Sequence, residues 1–310
     1  MQTGMTLEKK TSEASNGINI HDWLEGSAIS AMKSRTSIRS YKKGGIPRDK
    51  RDELLRWIQK MNQEVTSFRL VLMEQGEGEG DSHKGEKVGT YGIIRGARDY
   101  VVCLGKNNAE PSDVGYWFEL FILKCTEMGL GTCWLGGTFD RDVFHRNLPI
   151  QSDEEIAVVT PVGISTKEPS LIARLMRMGA GANGRKPWKE LFLDAGSGDG
   201  LAEDPKDPYY VPLEMVRWSP STSNRQPWLL IRQGETFHFF LNRTKGYGKL
   251  TRYDMQKNDL GIARLHFELA CRELGLLGGW STQEGPPPFR GIFEKEQGPE
   301  YLFTWRRELE

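Results

Sequence analysis

The first segment that could do chemistry is SRTSIRSY (residues 34–41), in which Arg35, Ser37 and Arg39 alternate. Two guanidinium groups and a hydroxyl are the donors that a phosphate group needs, because arginine binds phosphate oxygens through two parallel N–H bonds. Taken alone, two arginines four residues apart more often indicate a solvated helix end. The segment therefore predicts a phosphate site only in combination with other evidence.

Three further segments are polar or glycine-rich. WSPSTSNRQPW (residues 218–228) predicts a turn whose amides face one way and could bind the edge of a planar heterocycle, or else a plain polar loop before a strand. In GLGTCWLGG (residues 129–137) glycines would let backbone N–H groups approach a ligand, and they also fit a helix cap and turn. GRKPWKELF (residues 184–192) places a basic pair before a helix with Pro187 in its first turn.

The elements that must position these segments occur twice. Shifted by 146 positions, residues 113–134 align with residues 259–280 without a gap. The shared residues are Asp113/Asp259, Gly115/Gly261, Leu123/Leu269, Cys125/Cys271, Glu127/Glu273, Gly129/Gly275, Leu130/Leu276 and Trp134/Trp280. Upstream, ELLRW (residues 53–57) matches EMVRW (residues 214–218), and LVLMEQGE (residues 70–77) matches WLLIRQGE (residues 228–235). Self-similarity in one order indicates two diverged copies of one supersecondary unit.

Each copy predicts a helix, two strands, a long helix and a further strand. Residues 114–128 are apolar nearly all round, which is typical of a buried central helix, and the matching apolar face recurs in the second copy. Gly129 and Gly275 are predicted to end the two long helices. The predicted strands are residues 69–73, 100–104, 156–163, 228–231, 237–241 and 301–305.

Composition excludes several classes of protein. The chain has 310 residues, and its 42 basic and 42 acidic residues balance, which argues against a strongly basic nucleic-acid-binding protein. No apolar run approaches the roughly 18 residues of a membrane-spanning helix, so no membrane association is expected. The 4 cysteines form no CxxC pair, and we predict reduced core thiols in a cytoplasmic protein.

The predicted domains follow the repeat. Residues 1–17 are expected to be a disordered leader, residues 18–194 a first unit and residues 209–310 a second, shorter unit. Residues 195–208 are rich in Gly, Pro and Asp and predict the linker. Residues 76–89 predict a mobile loop. Two copies in one chain suggest a fused dimer with a pseudo-two-fold axis and one shared core, acting as a monomer, in preference to the alternative of two independent domains.

Two other patterns carry no function. MGAGANG (residues 178–184) contains GxGxxG, but it follows a helical pattern rather than a strand, so a dinucleotide-binding βαβ unit is rejected. The 5 histidines show no metal-ligand spacing, and we predict no metal site.

Together and in this order, the four segments resemble the nitroreductase family of FMN-dependent oxidoreductases, in particular its branch with two unequal units in one chain. The resemblance spans residues 22–305. With the repeat, it implies an α+β, three-layer α/β/α fold that has mixed, mostly antiparallel sheets, buried central helices and an internal pseudo-two-fold repeat.

The resemblance also implies roles for particular residues. Arg35 and Ser37 would hold the FMN phosphate together with Arg185 and Lys186. Arg39 would stabilise negative charge near N1 and O2 of the flavin ring. Backbone N–H groups near flavin N5 would come from Leu135, Gly136 and Gly137. The ring edge would meet the second copy through Pro220, Ser221, Ser223 and Asn224.

Each copy lacks what the other retains. The first has IQKMNQEVTS (residues 58–67) in place of the PSxxN loop, and the second has neither RxSxR nor RKPW. The chain is therefore expected to build one complete FMN site. NAD(P)H would reduce the flavin, which would pass electrons to a small-molecule acceptor such as a nitroaromatic, quinone or activated alkene, with no protein residue as general acid. The alternatives are a non-catalytic flavin-binding or storage protein, and a flavin enzyme of different outcome, such as reductive dehalogenation or flavin fragmentation.

Overall fold

The computed structural model describes residues 20–74, 90, 93–137, 139–166, 184–244, 253–282 and 298–308. The predicted leader, the predicted loop at residues 76–89 and residues 178–183 of the GxGxxG segment lie outside this part of the chain.

Helices and strands follow the predicted order. The helices are α1 (Ala28–Ser34), α2 (Arg48–Glu64), α3 (Pro111–Glu127), α4 (Arg141–Asn147), α5 (Trp188–Leu191), α6 (Tyr210–Trp218) and α7 (Met255–Glu273), with short 3-10 helices at Ile20–Trp23 and Thr222–Asn224. The strands are β1 (Phe68–Glu74), β2 (Asp99–Lys106), β3 (Gly131–Thr132), β4 (Glu154–Gly163), β5 (Phe192–Asp194), β6 (Trp228–Gln233), β7 (Thr236–Leu241), β8 (Gly278–Ser281) and β9 (Glu300–Arg307).

These bounds agree with the six predicted strands to within two residues. The prediction missed β3, β5 and β8, because strands of two to four residues are too short to show an alternating pattern. Gly129 and Gly275 follow the ends of α3 and α7 with φ of 72° at both residues, as predicted.

The strands form two sheets with the same arrangement. The first has the order β1-β2-β4-β3 and is antiparallel throughout; in the second, β6-β7-β9-β8 repeats that antiparallel order. The long helices make equivalent connections: α3 joins β2 to β3, and α7 joins β7 to β8. β5, which lies at the end of the first predicted unit, pairs in parallel with β6 and so extends the second sheet.

Helices lie between the two sheets. One hydrophobic core joins α1, α2, α3 and the inner face of the first sheet to residues of α7 such as Leu265 and Leu269. On the outer face of that sheet, α4 packs through Val143 and Phe144, which gives the predicted helix–sheet–helix layering. A second core joins α6 and α7 to the second sheet. The α+β fold with mostly antiparallel sheets and buried central helices is thus confirmed.

α3 and α7 cross at two glycines that the repeat relates. A Cβ atom on Gly115 would overlap the carbonyl oxygen of Asn258 on α7, and one on Gly261 would overlap the carbonyl oxygen of Ser112 on α3. Because the repeat that pairs Gly115 with Gly261 also pairs Ser112 with Asn258, the two contacts are images of each other. Only glycine allows the two backbones to approach this closely.

Two glutamates that the repeat also relates bind the start of α1 and the residues just before it. The Glu127 carboxylate accepts the N–H groups of Glu25 and Gly26 at 2.9 and 2.6 Å. The Glu273 carboxylate accepts the Ser27 hydroxyl at 2.6 Å and the Ile29 N–H at 3.0 Å. Both central helices therefore fix the start of α1, whose other end leads into Arg35.

Within the described ranges, no helix is long and apolar enough to cross a membrane. The same ranges contain no group of three His, Cys, Asp or Glu side chains that could hold a metal ion.

Candidate functional site

The Arg-Ser-Arg segment (residues 35–39) is extended rather than helical. α1 ends at Ser34, Ser37 forms an isolated parallel bridge with Thr132, and the Ile38 N–H donates to the Thr132 carbonyl at 2.8 Å. Alternate residues of an extended chain point to the same side. Arg35, Ser37 and Arg39 therefore share one face, and the solvated helix end that the spacing also allowed is not what forms.

The side chains of this face affect the Cys133 thiol, which follows β3. Burial raises the pKa of that thiol, and the charges of Arg39 and Arg35 oppose the shift. A hydrogen bond with the Ser37 hydroxyl also lowers the Cys133 pKa. All three side chains thus act on one buried thiol beside β3.

Arg35 and Arg39 retain buried hydrogen-bond donors. The Arg35 side chain is only 9% exposed, and its Nε lies 3.7 Å from Glu119 Oε1. Its Nη1, like Nε of Arg39, has no hydrogen-bond partner among the described residues. Buried polar groups are nearly always hydrogen-bonded, so these donors fit a polar ligand such as a phosphate or a flavin oxygen.

Arg185 of the basic pair lies near enough to Arg35 for their charges to affect each other. Burial lowers the pKa of Arg185, and the charges of Arg35 and Arg217 lower it further. Burial likewise lowers the pKa of Lys186. Since like charges disfavour each other in a partly buried site, an anion between Arg35 and Arg185 would relieve their repulsion.

The 219–227 loop of the second unit contacts this basic pair. Arg185 donates to Asn224 Oδ1 and to the Trp218 carbonyl, both at 3.3 Å. The Lys186 N–H donates to Gln226 Oε1 at 2.9 Å, and Lys186 Nζ donates to the Gln226 carbonyl at 3.1 Å. The structure therefore brings predicted residues of both units together through Arg185.

The backbone of the loop is strained. Ser223, Asn224 and Gln226 have φ of 51°, 53° and 48°, in the left-handed region that side-chain-bearing residues rarely adopt. Such conformations cost on the order of 1 kcal/mol or more each and persist where their surroundings enforce them, often at functional sites. Here the Ser221 hydroxyl accepts the Gln226 N–H at 2.9 Å.

The predicted ring-edge residues differ in their exposure to solvent. Ser223 is exposed, whereas Pro220 and Ser221 are half-buried. The Asn224 amide donates to the Gly184 carbonyl at 2.8 Å, so in this structure it joins the loop to the first unit rather than facing outward.

The Gly-Gly turn (residues 135–137) offers fewer donors than predicted. The Leu135 N–H donates to the Val159 carbonyl at 2.9 Å, because Leu135 and Val159 form an antiparallel bridge. The proposed flavin contacts are therefore limited to the N–H groups of Gly136 and Gly137. Gly136 packs against the Met255 side chain of α7, which a Cβ atom would overlap.

Asp259 holds the 219–227 loop from α7. Its buried carboxylate accepts the Thr222 N–H at 3.0 and 3.1 Å and the Thr222 hydroxyl at 3.2 Å. Burial raises the pKa of Asp259 well above its usual value, although the hydrogen bonds from Thr222 oppose the shift.

Replacing Asp259 by Asn should make unfolding less dependent on pH. Because its pKa is raised in the folded state, Asp259 favours folding most below the unfolded pKa of about 4, and stability is lost as the pH rises toward the folded pKa. The amide of the variant cannot ionise, so the stability of Asp259→Asn relative to the unchanged protein should increase from pH 4 to pH 7. Urea unfolding at three pH values measures this, with exposed Asp49→Asn as the control. A difference that shrinks as the pH rises would contradict the prediction.

The surroundings of Trp280 in the second unit differ from those of Trp134, its counterpart in the first unit. In the first unit Phe118 packs edge-on against Trp134, with ring centroids 4.9 Å apart. The repeat places Arg264 where the first unit has Phe118, and its guanidinium lies 5.0 Å from the centroid of Trp280. It also lies 5.0 Å from the Tyr116 ring and 5.3 Å from the Phe303 ring. In the second unit the Arg264 guanidinium therefore occupies the position that the Phe118 ring occupies in the first.

The 219–227 loop has no counterpart in the first unit. α6 ends at Trp218, whereas α2 continues for seven residues beyond Trp57 to Glu64. Extra helical turns therefore replace the loop.

Sequence reasoning missed four residues of the site: Glu119, Gln226, Asp259 and His266. Two signals were available, a single acidic residue in the middle of the apolar α3 and the Asp113/Asp259 pair of the repeat. Gln226 lies in the 218–228 segment that the sequence analysis identified, but its contact with Lys186 comes from a segment distant in sequence. His266 gave no signal, because its contacts are likewise distant.

The chain thus has two mostly antiparallel sheets that flank paired central helices. A profile of the family described as "Putative TM nitroreductase" matches residues 27–271, and the chain belongs to that family.

Several solved structures are similar to this chain, one of them over most of its length. A Thermotoga maritima protein described as a putative nitroreductase is 16% identical with a TM-score of 0.51, covering 91% of this chain and 94% of that one, and it shows the same fold. A Bacteroides fragilis nitroreductase with bound FMN is 18% identical with a TM-score of 0.35, covering 47% and 92%. An FMN-dependent nitroreductase of Clostridium difficile is 18% identical with a TM-score of 0.35, covering 46% and 90%. No curated protein sequence matches the chain.

Proposed function

We propose that this chain is an FMN-dependent NAD(P)H oxidoreductase that binds one FMN between its two units. The observation that carries the proposal is that the buried Nη1 of Arg35 has no hydrogen-bond partner among the described residues. The positive charges of Arg35 and Arg185 also act against each other. A dianionic phosphate would satisfy that donor and offset the repulsion between the guanidinium groups.

The remaining residues take roles along the flavin. Ser37 and Lys186 would assist at the phosphate, and Arg39 would offset negative charge on the pyrimidine side of the ring. The N–H groups of Gly136 and Gly137 and the 219–227 loop would meet other parts of the ring. Bound FMN would supply the redox chemistry, taking hydride from NAD(P)H and delivering electrons to a nitroaromatic, quinone or activated alkene.

The domain organisation supports a single site. We propose two units, residues 18–194 and 209–310, joined by residues 195–208 and descended from a homodimer. In the second unit the Arg264 guanidinium lies against Trp280, and in the first unit extra turns of α2 replace the 219–227 loop. We therefore expect no second site. A monomer would therefore suffice. The monomeric state and the cytoplasmic location stay predictions.

The test is the absorption spectrum of the purified protein after addition of FMN. We expect one flavin per chain, bleaching on addition of NADH or NADPH under anaerobic conditions, and recovery with an acceptor such as menadione. Bound flavin that does not bleach would favour a binding or storage protein. Two flavins per chain would contradict the single site, and a colourless protein would reject flavin binding altogether.

A further inference from the structure

Glu119 is a buried carboxylate that none of the proposed roles uses. It lies in the middle of α3 among apolar residues, and its side chain is 0% exposed. A buried carboxylate must be paired or hydrogen-bonded, because desolvation of an isolated charge is very costly. Three partners from three different segments surround it.

Each partner belongs to a different part of the candidate site. Arg35, whose Nε is 3.7 Å away, begins the Arg-Ser-Arg segment. The indole N–H of Trp134 donates to Glu119 Oε2 at 2.7 Å, one residue before the Gly-Gly turn. His266 Nε2 lies 3.0 Å from Glu119 Oε1 and belongs to α7 of the second unit.

His266 extends the connection to the 219–227 loop. Its Nδ1 lies 3.1 Å from the Met215 carbonyl on α6, the helix that leads into this loop. A carbonyl oxygen can only accept, so Nδ1 donates to it. The contacts therefore run without a break from Arg35 to the second unit.

We propose that Glu119 is a positioning residue that orients Arg35 for phosphate. Glu119 lies on the Nε side of the guanidinium, whereas the buried Nη1 has no hydrogen-bond partner among the described residues and is left for the ligand. Trp134 and His266, which contact the two oxygens of this carboxylate, hold it in place beside Arg35. This inference rests on the proposed function.

Glu268 provides an internal control. It is a nearly buried carboxylate on α7 that accepts the indole N–H of Trp280 at 2.7 Å and, from the other central helix, the Tyr116 hydroxyl at 2.9 Å. Its ion-pair partner is Arg272, at 3.0 Å, instead of Arg35. Glu119 and Glu268 thus have similar surroundings, but only Glu119 contacts the Arg-Ser-Arg segment.

The experiment compares Glu119→Gln with Glu268→Gln. FMN dissociation constants are measured by flavin fluorescence, the phosphate environment by the ³¹P shift of bound FMN, and stability by urea unfolding. We expect both variants to lose stability. Only Glu119→Gln should bind FMN at least tenfold more weakly and shift the ³¹P resonance, and Glu268→Gln should stay within twofold of the unchanged protein.

A double-mutant cycle separates positioning from general loss of structure. In an Arg35→Ala background, Glu119→Gln should have no further effect on FMN affinity. An equal loss with and without Arg35, or unchanged or tighter binding by Glu119→Gln, would overturn the inference alone. If the unchanged protein binds no FMN, the proposed function fails as well. If Glu119→Gln does not fold, Trp134→Phe removes one hydrogen bond to Glu119, and its smaller loss of affinity should likewise disappear without Arg35.

Discussion

Arg35→Ala should bind FMN roughly 10- to 150-fold more weakly than the unchanged protein, a loss of about 1.5–3 kcal/mol, the range for hydrogen bonds to charged groups. The physical reason is that Arg35 combines a nearly buried side chain with a donor that lacks a protein partner in the described chain. Fluorescence titration with FMN measures the change.

Riboflavin is the informative control ligand, because it has the same ring and no phosphate. Its affinity should change little in Arg35→Ala, and FMN affinity should be unaffected in Arg56→Ala, which removes an exposed arginine of α2. If Arg35→Ala weakened riboflavin and FMN equally, Arg35 would support the ring or the fold rather than bind phosphate.

Gly115→Ala should lower the free energy of unfolding by about 3 kcal/mol or more, at the upper end of the usual cost of overpacking. The added methyl group would overlap the backbone carbonyl of Asn258, and a backbone cannot move aside as a flexible side chain can. α3 and α7 would have to separate. Gly261→Ala should cost a similar amount, because its methyl group would overlap the carbonyl of Ser112. Urea unfolding measures both changes.

The double variant tests whether the two glycines form one crossing. Once either methyl group has separated the helices, the other meets less resistance, so the combined cost should be clearly smaller than the sum. Gly44→Ala is the matched control, since nothing lies within 4 Å of a Cβ atom there. A cost for Gly115→Ala as small as that of Gly44→Ala would show that the helices do not meet as described.

Much of the fold was predictable because its signals are local or repeated. The apolar pattern of α3, the strand patterns and the glycines that end α3 and α7 depend on near neighbours in the chain. The repeat predicted the central helices of both units, and the structure adds that Gly115 and Gly261, already paired by sequence, are the points of closest approach. β3, β5 and β8 escaped prediction because two to four residues carry too little pattern.

The candidate site was predictable only as a set of segments. Spacing alone left Arg35 and Arg39 as a helix end or a phosphate site. The extended backbone, fixed by the bridge of Ser37 to Thr132, excludes the helix end, and the phosphate site stays a prediction. Leu135 belongs to the predicted turn, but its N–H donates to the Val159 carbonyl and is not available to a ligand. The sequence did not reveal this pairing, because Val159 lies in a distant strand.

The sequence by itself determined the duplicated unit, the order of its elements and the segments that could bind a phosphorylated ring. The tertiary structure decided which side chains meet: Arg35 with Arg185, Asp259 with the 219–227 loop, and Glu119 with partners from both units. Periodicity and turn chemistry act between neighbours in the chain and can be inferred from it. A buried charge, in contrast, is stabilised by whichever groups folding brings within a few ångströms, and those groups lie as far apart in sequence as Glu119 and His266.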